Sequence, residues 1–222
     1  MIKGIIFDID GVLLDTMPMW NTLGSGYLRS CGIEPPCDID KTLFSMSMEQ
    51  GAQYLHDSFL RGKAAENINE EIKIYLEDYY ANRALAKSGA ERSLKRLAAE
   101  GIPIAAATES PLSPVTAERN GILKYIGRIF TAGELNTSKS EPLIYNAAAE
   151  FLGAKPCEAL VFEDSLHALR TAARAGFVTV GMADAGEPDQ AALKAEADVF
   201  VRDWEEVFEK IICLLHKNPL LY

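Results

Sequence analysis

The sequence predicts an α/β protein: an open parallel sheet with helices on both faces, interrupted after its first strand by an α-helical insertion. Three observations carry this expectation. Short apolar runs alternate with amphipathic helical stretches from about residue 87 onward, the pattern of βαβ units. A run of the same kind stands alone at residues 3–7. Between the two, from about 16 to 81, every apolar period is helical and no convincing strand occurs.

Each element follows from its own pattern. Residues 3–7 (Lys-Gly-Ile-Ile-Phe) predict a buried strand, ended by the carboxylates that start at Asp8. In the insertion, Trp20, Leu23, Tyr27, Leu28 and Cys31 share one helical face, with Gly32 as the stop. Met48, Ala52, Leu55 and Phe59 repeat that spacing, as do Ile68, Ile72, Tyr75, Leu76 and Tyr79. A helix over 90–100 precedes a strand at 102–107, and a helix near 113–120 precedes a strand at 128–131. A helix over 141–152, a strand at 159–162 and a helix over 165–175 come next. Strands at 177–180 and 198–201 and a last helix over 204–215 complete the pattern. The domain expectation is therefore a core of 1–15 with 87–222 and a helical domain of 16–86.

Composition bounds the function. In 222 residues, 48% are apolar, enough for a real core, and only 24% are charged, which argues against a disordered chain. A net charge of −10 speaks against nucleic acid or an anionic membrane as partner, since both select clustered Lys and Arg. No apolar run approaches the roughly 18 residues of a membrane helix, and the stretch before Asp8 is too short for a secretory signal. Cys31, Cys37, Cys157 and Cys213 form neither a CxxC pair nor a zinc pattern and read as reduced thiols. The expectation is a cytoplasmic protein, with nothing demanding more than a monomer.

In an open α/β sheet, ligands bind at the carboxyl ends of the strands. The first strand ends in Asp8-Ile9-Asp10-Gly11, two carboxylates that repel unless a cation lies between them. Taken alone this is equally a surface turn. The strand at 159–162 ends in Glu163-Asp164-Ser165, where one residue also suits a helix N-cap. Thr108 follows the strand at 102–107 and alone would be an ST-turn; Lys139 precedes a helix and alone would be solvated. Gathered on one sheet edge, however, they comprise a carboxylate nucleophile, a site for an oxygen-ligated cation, a neutral donor and a fixed ammonium. That set suits phosphoryl transfer, where positioning and charge stabilisation dominate.

On these residues the chain resembles the haloacid dehalogenase superfamily, in the β-phosphoglucomutase/phosphatase-like subgroup with a helical cap after the first motif. The four motifs stand as Asp8-Ile9-Asp10-Gly11-Val12-Leu13-Leu14-Asp15-Thr16, Thr108, Lys139 with Pro142, and Phe162-Glu163-Asp164-Ser165. The resemblance implies a Rossmann-like core, Asp8 as nucleophile forming an aspartyl-phosphate, and Asp10 as general acid and base. It implies Mg²⁺ on Asp8, the backbone carbonyl of Asp10 and Asp164, with Glu163 supporting the metal. Thr108 would hydrogen-bond a phosphoryl oxygen, and Lys139 would lie between Asp8 and the phosphate. Hinges near Thr16 and 82–88 would let the cap close over the site.

Asp10 favours phosphate esters over the carbon-attacking dehalogenases, which lack that acid. Lys41 and Lys63 in the insertion have no apolar context that would suit a Schiff-base lysine. A β-phosphoglucomutase-like mutase is the nearest alternative. That subgroup carries a His where this chain has Trp20, a cap arginine unmatched in Ser45-Met46-Ser47-Met48-Glu49, and a Lys-Asn pair where Pro111-Leu112 stands. Without those groups to hold a second phosphate, a monophosphatase acting on a small phosphate monoester is favoured. A phosphoacceptor signalling domain without turnover is the second alternative; Asp10 and the inserted cap count against it. Substrate reading is expected around Ser45, Ser47 and Glu49. Glu109 either repels a second anionic group of the substrate or points to solvent, and the two readings stand level. Ser140 and Leu143 replace a Pro and an Asp usual after the motif lysine, and Ala168 a usual Gly. His56 and His167 have no ligand spacing.

Overall fold

The computed structural model describes residues 1–43 and 46–215. Strand β1 (Gly4–Phe7) leads into α1 (Met17–Trp20), α2 (Leu23–Ser30), α3 (Ile39–Leu43), α4 (Met48–Ser58) and α5 (Ala65–Asn82). Then follow α6 (Ala90–Ala99), β2 (Ile104–Thr108), α7 (Ser113–Arg119), β3 (Arg128–Thr131) and α8 (Leu143–Phe151). The chain continues through β4 (Ala159–Glu163), α9 (Leu166–Arg174), β5 (Val178–Met182), α10 (Gln190–Glu196), β6 (Val199–Val201) and α11 (Trp204–Leu215). All strand pairs are parallel, in the order β3-β2-β1-β4-β5-β6. The predicted class, an open parallel α/β sheet of the Rossmann-like kind, is the observed one.

The order explains both the apolar runs and the site. β1, β2 and β4 lie inside the sheet and are buried along their whole length, so nothing selects polar residues on either face. The edge strands β3 and β6 are only partly buried. Alternation sends Ile5 and Phe7 into one core layer with Leu94, Leu97, Trp204 and Ile211. It sends Ile6 to the other face with Ile144, Tyr145, Ala148 and Val161. The chain runs outward from β1 through β2 to β3, then returns to place β4 on β1's other side. The switch in direction falls between β1 and β4, the place where open parallel sheets bind their ligands beyond the carboxyl ends of the strands.

The chain divides into two compact units, Met1–Met17 with the chain from Ala84 onward, and Pro18–Arg83. The predicted boundaries, 15/16 and 86/87, are thus displaced by a few residues. Residues 84–87 stay with the sheet because backbone bonds tie them there. Asp15 N–H donates to the Leu85 carbonyl at 2.9 Å and Lys87 N–H to the Leu13 carbonyl at 2.8 Å. The Asn120 amide donates to the Ala84 carbonyl at 3.1 Å. In the helical unit, Ile68, Ile72, Leu76 and Tyr80 form the buried stripe of α5. Trp20 Nε1 donates to the Tyr80 hydroxyl at 2.9 Å, so this aromatic belongs to the unit's own packing. The face predicted to run from Trp20 to Cys31 is broken into α1 and α2, with the Thr22 hydroxyl turned back onto the Pro18 carbonyl at 2.7 Å.

Two further differences have local causes. β2 begins at Ile104, not 102, because Pro103 has no N–H for the ladder; its carbonyl instead accepts from Ile5 N–H at 3.0 Å. Helix α10 was not anticipated. Its buried face is only Leu193, with Asp189 accepting from Ala192 N–H at 3.0 Å as its cap, so it shows no apolar period.

Candidate active site

The strand ends do converge. Asp8 directly follows β1, Glu163 ends β4 and Asp164 follows it, while Thr108 ends β2 on the other flank of β1. Asp8 N–H donates to the Phe162 carbonyl at 3.0 Å, carrying the β1–β4 ladder one step past the strand. Register then sets the Asp8 side chain beside Glu163 and Asp164. The three carboxylates form a buried group whose oxygens lie within 4.8 Å of one another.

Gly11 makes that approach possible. Its φ is +77°, and a Cβ there would stand 2.0 Å from Asp164 Oδ2. Any side chain would therefore both strain the turn and collide with the acidic group.

Lys139 supplies the cation. Its Nζ lies 2.5 Å from Asp8 Oδ1 and 2.8 Å from Glu163 Oε1, and the lysine is 5% exposed. A lysine that looked like a solvated loop residue is thus the buried counterion of two carboxylates. Glu109 accepts the Lys139 backbone N–H at 2.7 Å, pinning the 137–140 turn onto the end of β2. One oxygen of its carboxylate is thus committed to the protein's own backbone, while the residue stays exposed to solvent, as one of the two readings expected.

Asp10 is held apart from the acidic group. Its Oδ1 accepts from Thr16 Oγ1 at 2.7 Å and its Oδ2 from Ser113 Oγ at 2.5 Å. Thr108 Oγ1 accepts from Ser110 N–H at 3.1 Å, the ST-turn its position suggested, and lies 3.4 Å from Ser113 Oγ. Ser165 makes no side-chain cap on α9; Glu187 takes the Leu166 N–H instead, at 2.8 Å.

Electrostatics follow from three buried carboxylates around one ammonium. Burial raises Asp8 well above the ordinary carboxyl range; Glu163, Asp164 and Asp10 add to the shift and Lys139 opposes it. Burial likewise raises Glu163, again against Lys139. Asp164 is pushed up to about 7 by burial and then by Glu163. Burial alone would lower Lys139, but Asp8 and Glu163 outweigh it and hold the lysine raised. The site thus carries more negative charge than its own cation neutralises.

A hard divalent ion fits that imbalance. Glu163 Oε1 accepts from both Lys139 and the Tyr145 hydroxyl, the latter at 2.7 Å. Glu163 Oε2 is buried without a hydrogen-bond partner. An all-oxygen donor set with one buried oxygen unfilled suits the magnesium class of ions rather than a thiophilic metal.

Tyr145 and Ser113 were missed from sequence. Tyr145 sits at an apolar position of a helical period, so nothing in the pattern flags its hydroxyl. Ser113 looks like an ordinary helix-start residue. Nearby, Lys87 Nζ pairs with Asp184 Oδ2 at 2.5 Å, both side chains largely buried, and this pair too had no sequence signal. The expected substrate-reading residues fare differently. Ser45 lies outside the described residues. Ser47 caps α4: its hydroxyl accepts from Gln50 N–H at 3.2 Å and donates to Glu49 at 2.9 Å. His56 Nδ1 meets the Lys63 carbonyl at 2.8 Å, and His167 Nε2 lies 3.0 Å from Ser140 Oγ; among the described residues neither belongs to a metal-like cluster.

Comparison with known proteins agrees with this geometry. The chain is 26% identical over 211 residues to the validoxylamine A 7'-phosphate phosphatase of Streptomyces hygroscopicus subsp. limoneus, covering 93% of this chain and 96% of that protein. It is 30% identical over 167 residues to hexitol phosphatase A of Escherichia coli K12, covering 73% and 74%. The crystal structure of a Thermotoga maritima protein assigned to the beta-phosphoglucomutases superposes with a TM-score of 0.82 at 24% identity, covering 94% of this chain and 97% of that one, which speaks to the fold. A family model, haloacid dehalogenase-like hydrolase, matches residues 2–176. That span takes in all four strand-end motifs and most of the chain, and the protein belongs to the haloacid dehalogenase-like hydrolases.

Proposed function

We propose that the protein is a magnesium-dependent phosphatase that hydrolyses a small phosphate monoester, a phosphorylated sugar or polyol first among them. The observation that carries the reading is the buried Asp8 carboxylate, ion-paired to Lys139 at 2.5 Å beside Glu163 and Asp164. Lys139 opposes the protonation that burial favours at Asp8, and the carboxylate stands just past the carboxyl end of β1. The hexitol and validoxylamine phosphate specificities of the two relatives support a polyhydroxylated ester.

The steps balance with this chain's own residues. An Asp8 oxygen attacks phosphorus, the phosphorus–oxygen bond to the alcohol breaks, and Asp10 gives its proton to the departing alkoxide. Asp10 then takes a proton from water as the water oxygen attacks phosphorus, the Asp8–phosphorus bond breaks, and phosphate leaves. Lys139 neutralises charge on the transferring group, and Thr108 turns its hydroxyl to a phosphoryl oxygen. Asp8, Asp164, the Asp10 backbone carbonyl and Glu163 would hold Mg²⁺. When bound, the ion offsets repulsion between the Asp8 anion and the phosphate dianion.

Phosphate release across a panel of sugar, polyol, nucleotide and amino-alcohol monophosphates, with Mg²⁺ or with EDTA, tests the reading. Hydrolysis of at least one ester that disappears in EDTA is the expected result. Isomerisation of a sugar monophosphate primed by the bisphosphate, with no phosphate released, would replace it by the mutase reading. A stable phosphoprotein with neither activity would replace it by the signalling one.

Metal binding should depend on pH. Asp164 titrates near 7 in the metal-free protein, and the ion needs it deprotonated. Affinity therefore rises as pH climbs through 7 and falls as pH drops through that value, by up to about tenfold per unit. Titration calorimetry with Mg²⁺ from about pH 8 down to about pH 6 checks this; an affinity flat across that range would contradict it.

A further inference from the structure

Asp10 is gripped from two directions of the chain. Thr16, six residues on, holds Oδ1; Ser113, at the start of α7 and fully buried, reaches Oδ2. Behind Ser113 lies the Thr108 hydroxyl at 3.4 Å, itself fixed by Ser110 N–H. We propose that Ser113 is a positioning residue for Asp10, holding its carboxyl in the same place in both halves of the reaction. This rests on the acid and base role proposed for Asp10 above.

The chemistry of the hydroxyl is the reason. Asp10 must be an acid when the alcohol leaves and a base when water attacks, so its partner has to tolerate both states. A serine hydroxyl donates to the ionised carboxylate. It accepts from the protonated one and turns its own hydrogen toward Thr108 Oγ1. An ammonium would offer Asp10 only hydrogens at that contact and would favour the ionised state alone. Ser113 touches no reacting atom; it acts through Asp10. Its full burial keeps water from substituting for it.

The two half-reactions separate this role from a general packing role. An aryl ester such as p-nitrophenyl phosphate releases a phenolate that needs no proton, so its first step bypasses Asp10. The second step, attack of water on the phosphorylated Asp8, needs Asp10 for any ester. The experiment compares wild type, Ser113→Ala, Ser113→Thr and Asp10→Asn on p-nitrophenyl phosphate by stopped flow and on the best alkyl ester of the panel at steady state.

For Ser113→Ala, kcat on the alkyl ester should fall about 10- to 100-fold with KM within about twofold, the size of one lost hydrogen bond to a charged group. On p-nitrophenyl phosphate it should give a rapid burst of one p-nitrophenolate per enzyme followed by slow turnover. Ser113→Thr should recover most of kcat and lose the burst. Wild-type turnover in Ser113→Ala would overturn the inference, as would a loss expressed in KM without a burst, or no recovery by Thr in a variant whose thermal melt matches wild type. Asp10→Asn keeps the two layers apart. If it retains wild-type alkyl turnover, the acid and base reading itself fails; if it is inactive while Ser113→Ala is not, only the role of Ser113 does.

Discussion

Replacing Asp8 with Asn should remove activity while raising the thermal midpoint of the metal-free protein. The loss of turnover follows from the nucleophile, whose removal costs on the order of 10⁴- to 10⁶-fold in kcat. The gain in stability follows from the charge balance. Asp8 is one of three buried carboxylates sharing Lys139, and burial with its acidic neighbours lifts its pKa despite the ion pair. In the native protein it therefore binds its proton more tightly than in the unfolded chain. Between the unfolded and folded pKa values the native state holds more protons, so stability falls as pH rises through that window. The neutral amide escapes this, and its advantage should grow from acid toward neutral pH. A few degrees at neutral pH is the expected scale, about 1–2 kcal/mol for a chain of this size. Saturating Mg²⁺ should reverse the order, since only the wild type retains the full donor set. Melts at two pH values, each with EDTA and with Mg²⁺, read all of this; a variant less stable than wild type in EDTA at neutral pH would contradict it. Sites that concentrate like charge for catalysis commonly sacrifice stability in this way.

Lys139→Met should do the opposite to stability. The methionine fills the stem's volume but leaves Asp8 and Glu163 without the buried ammonium that contacts them both. Breaking a buried pair from one side costs about 3–5 kcal/mol, because the remaining charges stay desolvated. Here the side chain is 7% exposed and contacts two carboxylates, so solvent screening offers little relief. The deficit should shrink at acid pH, where the carboxylates take up protons and no longer need the ammonium. Turnover should fall on the order of 10²- to 10³-fold, the scale of removing one transition-state charge partner. Urea unfolding of the variant at neutral and acid pH is the check. A variant as stable as wild type at neutral pH would mean the lysine is not the counterion of this group.

Both effects depend on features the sequence shows to different degrees. The alternation of runs was legible because parallel strands buried on both faces must be continuously apolar, as Ile5, Ile6 and Phe7 or Leu160, Val161 and Phe162 are. The placing of Asp8, Thr108 and Asp164 on one edge was legible too, because strand ends in a parallel sheet share that edge. Helix α10 was not, since one buried leucine makes no period. Nor was the division at Pro18 and Ala84, because it depends on backbone bonds between Leu13–Asp15 and Leu85–Lys87.

The sequence by itself determined the class of sheet, the acidic strand ends and the family. Those are properties of local pattern and of order along the chain, and both survive without coordinates. Only the tertiary structure decided which partner each functional group has. It put Lys139 between Asp8 and Glu163, gave Tyr145 to the same glutamate oxygen, left the other oxygen unfilled and set Ser113 on Asp10. These pairs join residues that lie far apart in the chain. Their directions are set by strand register, helix rotation and turn geometry acting together, and no single stretch of sequence encodes that sum.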